Sequence, residues 1–101
     1  MDLKDKINNI RKKLNRGKVS IGSWIQIPHP DIANIICNYN YDWIAIDLEH
    51  GSGSIIDIPN LGRVINNSNS AFFIRIAEEN FENIQRFLDF GVNGIIFSKV
   101  E

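Results

Sequence analysis

Cysteine is almost missing from this 101-residue chain: Cys37 stands alone, so no disulfide can form within it. A lone thiol fits a reducing compartment, and a cytoplasmic location is expected. Long apolar runs are missing too. None approaches the roughly 18 residues of a membrane span, and the basic N-terminus lacks the apolar segment of a secretory signal. No Cys/His zinc spacing occurs. There is no GxGxxG or Walker-type phosphate loop; residues 51–54, Gly-Ser-Gly-Ser, are a weak substitute. The interleaved aromatic and basic residues of a nucleic-acid stacking surface are not seen either. Neither a membrane nor a nucleic acid is therefore expected as a partner.

What is present is an ordinary globular composition. Hydrophobic residues make up 44% and charged residues 23%, which excludes disorder of the whole chain. Length allows one small domain. The net charge is only -1, yet it is polarised. Up to Lys18, seven Lys and Arg face Asp2 and Asp5, giving +5; the remainder carries four basic and ten acidic residues, giving -6. A basic arm for phosphate is one reading and a solvated helix face the other. The acidic remainder favours the solvated face.

Hydrophobic spacing sets out the elements. Leu3, Ile7, Ile10 and Leu14 form one helical stripe, closed at Gly17. Residues 19–27 alternate as a strand, stopped by Pro28; Pro30 suits the first turn of a helix buried through Ile32, Ile35 and Ile36. Residues 43–47 read as a buried parallel strand. Ile58, Leu61, Val64 and Ile65 make the next helix. Residues 71–76 form a third strand. Asn80 is expected to cap a helix carrying Phe81, Ile84, Phe87 and Leu88, ended by Gly91. Residues 94–97 form a fourth strand.

Strands alternating with helices imply βαβ units and a parallel α/β sheet. Two architectures fit this order: a small doubly wound sheet, and the first half of a TIM barrel, which needs about 250 residues in all. The pattern does not separate them.

Polar residues collect at strand ends, where parallel folds bind ligands. Asp47, Glu49 and His50 follow the second strand, Arg75 nearly ends the third, and Ser98 and Lys99 follow the fourth. An imidazole can move a proton in either direction near neutral pH, so His50 suits proton transfer, or is a surface histidine. Arg75 lies between Ile74 and Ile76 and must meet an anion, either a ligand or Asp47 or Glu49. Asp89 closes an apolar stripe and is by itself an ordinary helix-end carboxylate. Trp24, Trp43 and Cys37 read as core residues, and His29, between two prolines, as exposed.

Taken together, these residues resemble the HpcH/HpaI aldolase family. The match runs through Ile21-Gly22-Ser23-Trp24 with Pro28, the specific segment of residues 41–51 (Tyr-Asp-Trp-Ile-Ala-Ile-Asp-Leu-Glu-His-Gly), Ile74-Arg75-Ile76, and residues 87–94. It covers nearly everything after Lys18, but less than half of a full-length member. The resemblance implies a partial TIM (β/α)8 barrel: residues 1–18 a basic amphipathic helix, and residues 19–101 the first half of the barrel. It implies reversible cleavage of a 4-hydroxy-2-oxo acid into pyruvate and an aldehyde, assisted by a divalent metal (Mg, Mn or Co) acting as Lewis acid. Arg75 would bind the keto or enolate oxygen, His50 would act as general acid and base through water, and Asp89 would pair with His50. The family's metal ligands lie on later strands, so no residue here is given that role. Two positions depart from the family: Ser98 stands where proline is usual, and Asn40 where glycine is usual. A homo-oligomer or a complementing C-terminal fragment is the expected partner, and the chain alone is expected to be inactive. A non-catalytic interaction module, or a subunit of a split enzyme, is the alternative; a flavodoxin-like binding domain is a remoter one.

Overall fold

The structure, a computed structural model, describes residues 3–97. Ser98, Lys99 and the rest of the terminal segment lie outside the described residues. Helix α1 (Leu3–Asn15) precedes three repeats of strand and helix and a final strand: β1 (Gly22–Ile25), α2 (Pro30–Cys37), β2 (Trp43–Asp47), α3 (Ile58–Asn66), β3 (Ala71–Ile76), α4 (Ile84–Asp89) and β4 (Gly94–Phe97).

All four strands run parallel, in the order β1-β2-β3-β4. This order decides between the two architectures. A doubly wound sheet reverses its strand order at a switch point; here each strand lies beside its predecessor, as in a barrel wound in one direction. The core lies on one face only. Ile25, Ile44, Ile46, Phe72, Ile74 and Ile76 alternate onto it and meet Ala33, Ile58, Leu61, Ile65 and Phe87 from the helices. Each such side chain contributes about 1.5–3 kcal/mol on leaving water. The other face carries Trp24, Trp43, Ala45, Asp47, Phe73 and Arg75, and no described helix packs its apolar stripe there.

Several expected boundaries shift. β1 is shorter than residues 19–27, because a strand extends only where its neighbour does: Ile21 N–H bonds the Asp42 carboxylate rather than a ladder carbonyl, and Gln26 O accepts from Ser52. The fourth helix does not start at Asn80. A 3-10 turn (Glu78–Asn83) comes first, with Asn80 inside it, accepting from Ala77 N at 3.4 Å. Phe81 and Leu88 of the expected stripe are accordingly exposed, as is Leu14 of α1. Gly17 follows α1 at φ 69°, the left-handed conformation expected of a helix stop. His29 does more than face solvent: its Nδ1 accepts from Asp31 N at the start of α2.

Lys6 departs most from the solvated-face expectation. It is 3% exposed, and its Nζ donates to Ile65 O and Asn66 O, at 3.4 and 3.2 Å. These carbonyls lie in the last turn of α3, where Ile65 O also accepts from Ser68 N and Ser68 Oγ. Burial pushes the Lys6 ammonium below the usual lysine range, against the opposing influence of Cys37. Cys37 itself is half-buried rather than fully enclosed, and burial raises its thiol.

Candidate functional site

The polar cluster forms where β2 and β3 end together. Asp47, the last residue of β2, pairs in register with Arg75 on β3. Both side chains rise from the face that lacks the helix core, because Ile46, Ile74 and Ile76 take the other face. Asp47 is fully buried. Its Oδ1 accepts from Arg75 Nε at 3.2 Å and from the backbone N–H groups of Glu49 and His50, each at 2.9 Å; Oδ2 accepts from Arg75 Nη2. One carboxylate thus fixes both the guanidinium and the turn that presents His50. Burial alone would raise the Asp47 carboxyl. The Arg75 hydrogen bonds, the two backbone donors and the Arg75 charge outweigh it and hold the group at about 2. The same pairing with Asp47 raises Arg75 above its ordinary value.

Glu49 joins the two candidate residues. His50 Nε2 lies 2.6 Å from Glu49 Oε1, and Arg75 Nε lies 3.9 Å from the same oxygen. His50 keeps 64% of its side chain exposed, whereas Glu49 keeps 12%. The imidazole therefore faces solvent from a carboxylate held in the wall. On its other side the Arg75 guanidinium sits 4.5 Å over the Trp24 ring, a cation–π contact. Trp24 meets Trp43 edge-on at 5.8 Å, and Trp43 stacks on Phe73 at 6.0 Å. A cavity of about 540 Å³ opens beside this group, lined by Trp24, Gln26, Ile27, Ile32 and Arg75.

His50 and Arg75 are thus brought to one rim. Asp89 is not. It ends α4, accepts from Gln85 Nε2 at 3.1 Å, and is exposed. Four residues later Asn93 N–H bonds Phe72 O, near the start of β3. The six residues of β3, at about 3.3 Å each, separate that end of the sheet from His50. The expected His50–Asp89 pair is therefore not made within one chain; Glu49 holds the imidazole instead. Trp24 is a further correction: at 38% exposure it is a wall of the site rather than a core residue. Its role was legible only through parity, since register puts it on the Arg75 face.

Among the described residues no three His, Cys, Asp or Glu side chains are grouped to hold a metal. Asp47 is committed to Arg75 and two backbone donors. The described residues thus offer no donor set for the divalent ion, whose ligands the resemblance puts on later strands.

A single-wound parallel sheet with acid–base groups beyond its strand ends defines the TIM-barrel class of α/β protein. Residues 20–101 match the HpcH/HpaI aldolase/citrate lyase family, and the chain belongs to that family. It is similar to a 4-hydroxy-2-oxovalerate aldolase of Novosphingobium aromaticivorans, 31% identical over 94% of this chain and 37% of that protein. A pyruvate aldolase of Rhizobium etli is equally similar, at 31% identity over 94% of the chain and 37% of the relative. Among solved structures, the HpcH/HpaI aldolase from Desulfitobacterium hafniense superposes with a TM-score of 0.70 at 30% identity, over 85% of this chain and 34% of that one. The citrate synthase SbnG gives 0.75 at 27%, over 90% and 37%. The chain thus spans little more than a third of the length of these relatives. No helix among the described residues is long and apolar enough to cross a membrane.

Proposed function

We propose that this chain carries the proton-transfer and pyruvyl-orienting residues of a carbon–carbon lyase that cleaves a 4-hydroxy-2-oxo acid to pyruvate and an aldehyde. The observation that supports the reading is the shared Glu49 carboxylate, which sets the His50 imidazole and the Arg75 guanidinium side by side beyond β2 and β3.

Two of the five N–H donors of Arg75 are spent on Asp47, which leaves three for a ligand. They suit the C2 oxygen of the oxo acid, where negative charge develops as the bond breaks. With His50 Nε2 set against Glu49 Oε1, the neutral imidazole of this reading presents its lone pair at Nδ1. Through a water, that nitrogen takes the proton of the 4-hydroxyl. The C3–C4 bond then breaks, its electron pair forms the enolate, and the aldehyde leaves. The proton returns from His50 to C3 and completes pyruvate. The divalent ion (Mg, Mn or Co) expected of full-length relatives has no donor set among the described residues. Asp89 could reach His50 only from another copy of the chain. Because the chain spans about a third of its relatives, turnover is expected only with the complementing C-terminal part.

The test is pyruvate release from 4-hydroxy-2-oxo acids with Mg, Mn or Co, with the chain alone and mixed with the later segment of the Novosphingobium relative. The chain alone should be silent and the mixture active, and His50→Ala should lower the rate by about 10²–10⁴. An active mixture indifferent to His50→Ala refutes the assignment.

A second reading, a non-catalytic interaction module or a subunit of a split enzyme, is favoured by the sheet edges. Among the described residues β1 and β4 each pair on one side only, and Ile21 and Ile27 beside β1 are exposed. Stable association without pyruvate release would support it.

A further inference from the structure

The end of the sheet remote from His50 has a cavity of its own, about 460 Å³ in volume, between α1 and the segments leading into β2 and β3. Lys12, Lys13 and Arg16 reach it from the last turn of α1 and the residue after it, and Lys18 from the loop beyond. One carboxylate faces these four cations: Asp42, which is already committed. Its Oδ1 lies 2.5 Å from Lys13 Nζ, and its Oδ2 accepts from Ile21 N at 2.9 Å. Burial works against its charge, yet the Lys13 and Ile21 hydrogen bonds hold its carboxyl below the usual carboxylate range.

Lys12, Arg16 and Lys18 have no ion-pair partner among the described residues. The C-terminal dipole of α1 offers only about half a negative charge. It accounts for Lys12 and Lys13 in the last turn, but not for Arg16 and Lys18 converging from beyond it. The cavity keeps a formal charge near +3, in a chain whose residues after Lys18 sum to -6. Asn40 and Asn69 complete the wall.

We propose that this cavity is an anion site for a small molecule carrying linked phosphates, held by Lys12, Arg16 and Lys18, with Lys13 fixed on Asp42 as the inner wall. The volume falls within the usual range for small-molecule pockets, about 300–1,000 Å³. A nucleic-acid backbone needs an extended basic track, and the acidic remainder of this chain repels one. The site lies at the opposite end of the sheet from Arg75 and does not depend on the aldolase reading.

Titration calorimetry of the chain at about 50 mM and 200 mM salt tests the proposal, using sodium tripolyphosphate, ATP, adenosine and inorganic phosphate as probes. Tripolyphosphate and ATP should bind saturably and weaken as salt rises, while adenosine does not bind. The exposed positions allow substitution without unfolding, which circular dichroism verifies. Lys12→Gln with Arg16→Gln should weaken tripolyphosphate at least about tenfold. Lys4→Gln, on the same helix but outside the cavity, should leave it unchanged. ATP tighter than tripolyphosphate identifies a nucleotide as the source of the phosphates, and the reverse a free polyphosphate. No saturable binding of either, adenosine binding as well as ATP, or affinity untouched by the double variant overturns the proposal.

Discussion

Replacing Asp47 tests the anchoring scheme most directly. Its side chain is fully buried and receives four hydrogen bonds, two from Arg75 and one each from Glu49 N and His50 N. Removing one partner of a buried ion pair costs about 3–5 kcal/mol. Arg75 keeps a quarter of its side chain exposed, so water recovers part of that loss and the lower end, about 3 kcal/mol, applies to Asp47→Ala. For a domain of this size that lowers Tm by roughly 12–24 °C. Asp47→Asn separates charge from geometry. Both backbone N–H groups and Arg75 Nε bond Oδ1, which asparagine retains; only Oδ2, facing Arg75 Nη2, becomes an amide.

The pH dependence then follows from the carboxyl at about 2. Folding lowers this pKa from an unfolded value of about 3.9, so the ionised group contributes about 2 kcal/mol that is fully present above the unfolded value. That contribution disappears as pH falls from about 4 to 2. Urea unfolding at pH 7 should find Asp47→Asn about 2 kcal/mol less stable than the parent, and the gap should close by about pH 2. A gap unchanged between pH 7 and pH 2.5, or no gap at pH 7, refutes the reasoning.

Two further substitutions probe the frame that positions the site. Phe87→Ala empties a fully buried ring of α4 and should cost about 3–5 kcal/mol in urea unfolding; a loss under about 1 kcal/mol would show that the helix face closes over the gap. Gly22→Ala would set a Cβ 1.9 Å from Trp43 Cδ2, so the indole must move and its edge contact with Trp24 must change. A stability loss of about 1–3 kcal/mol with an altered near-UV spectrum is expected, and an unaltered spectrum contradicts the packing of this face.

Most of the elements were legible because apolar periodicity is local. Residues 43–47, 71–76 and 94–97 appear as strands where the runs of Ile, Ala and Phe place them. The misjudged boundaries, at β1 and α4, depend on partners distant in sequence. The Asp42 carboxylate takes the Ile21 N–H while Ile21 O still accepts from Asp42 N, and the turn through Asn80 stays 3-10. Of the site, His50 and Arg75 were legible as polar residues at strand ends. Trp24 beneath Arg75 was not, since that contact crosses from β1 to β3, and Glu49 as the carboxylate of its neighbour His50 was not, since the turn that sets the pair is fixed by Asp47.

By itself the sequence determined the alternation of strands and helices, the polarised charge, and the membership of His50 and Arg75 in the polar ends of the strands. Only the tertiary structure decided that the strands follow in the order β1-β2-β3-β4, that Asp47 rather than Glu49 takes the close pairing with Arg75, and that Asp89 lies at the other end of the sheet. The reason is register: side chains alternate faces along a strand, so a slip of one residue would turn Arg75 into the helix core and Ile74 out of it. Nothing local in the chain expresses that choice; burying Ile44, Ile46, Phe72 and Ile74 together makes it.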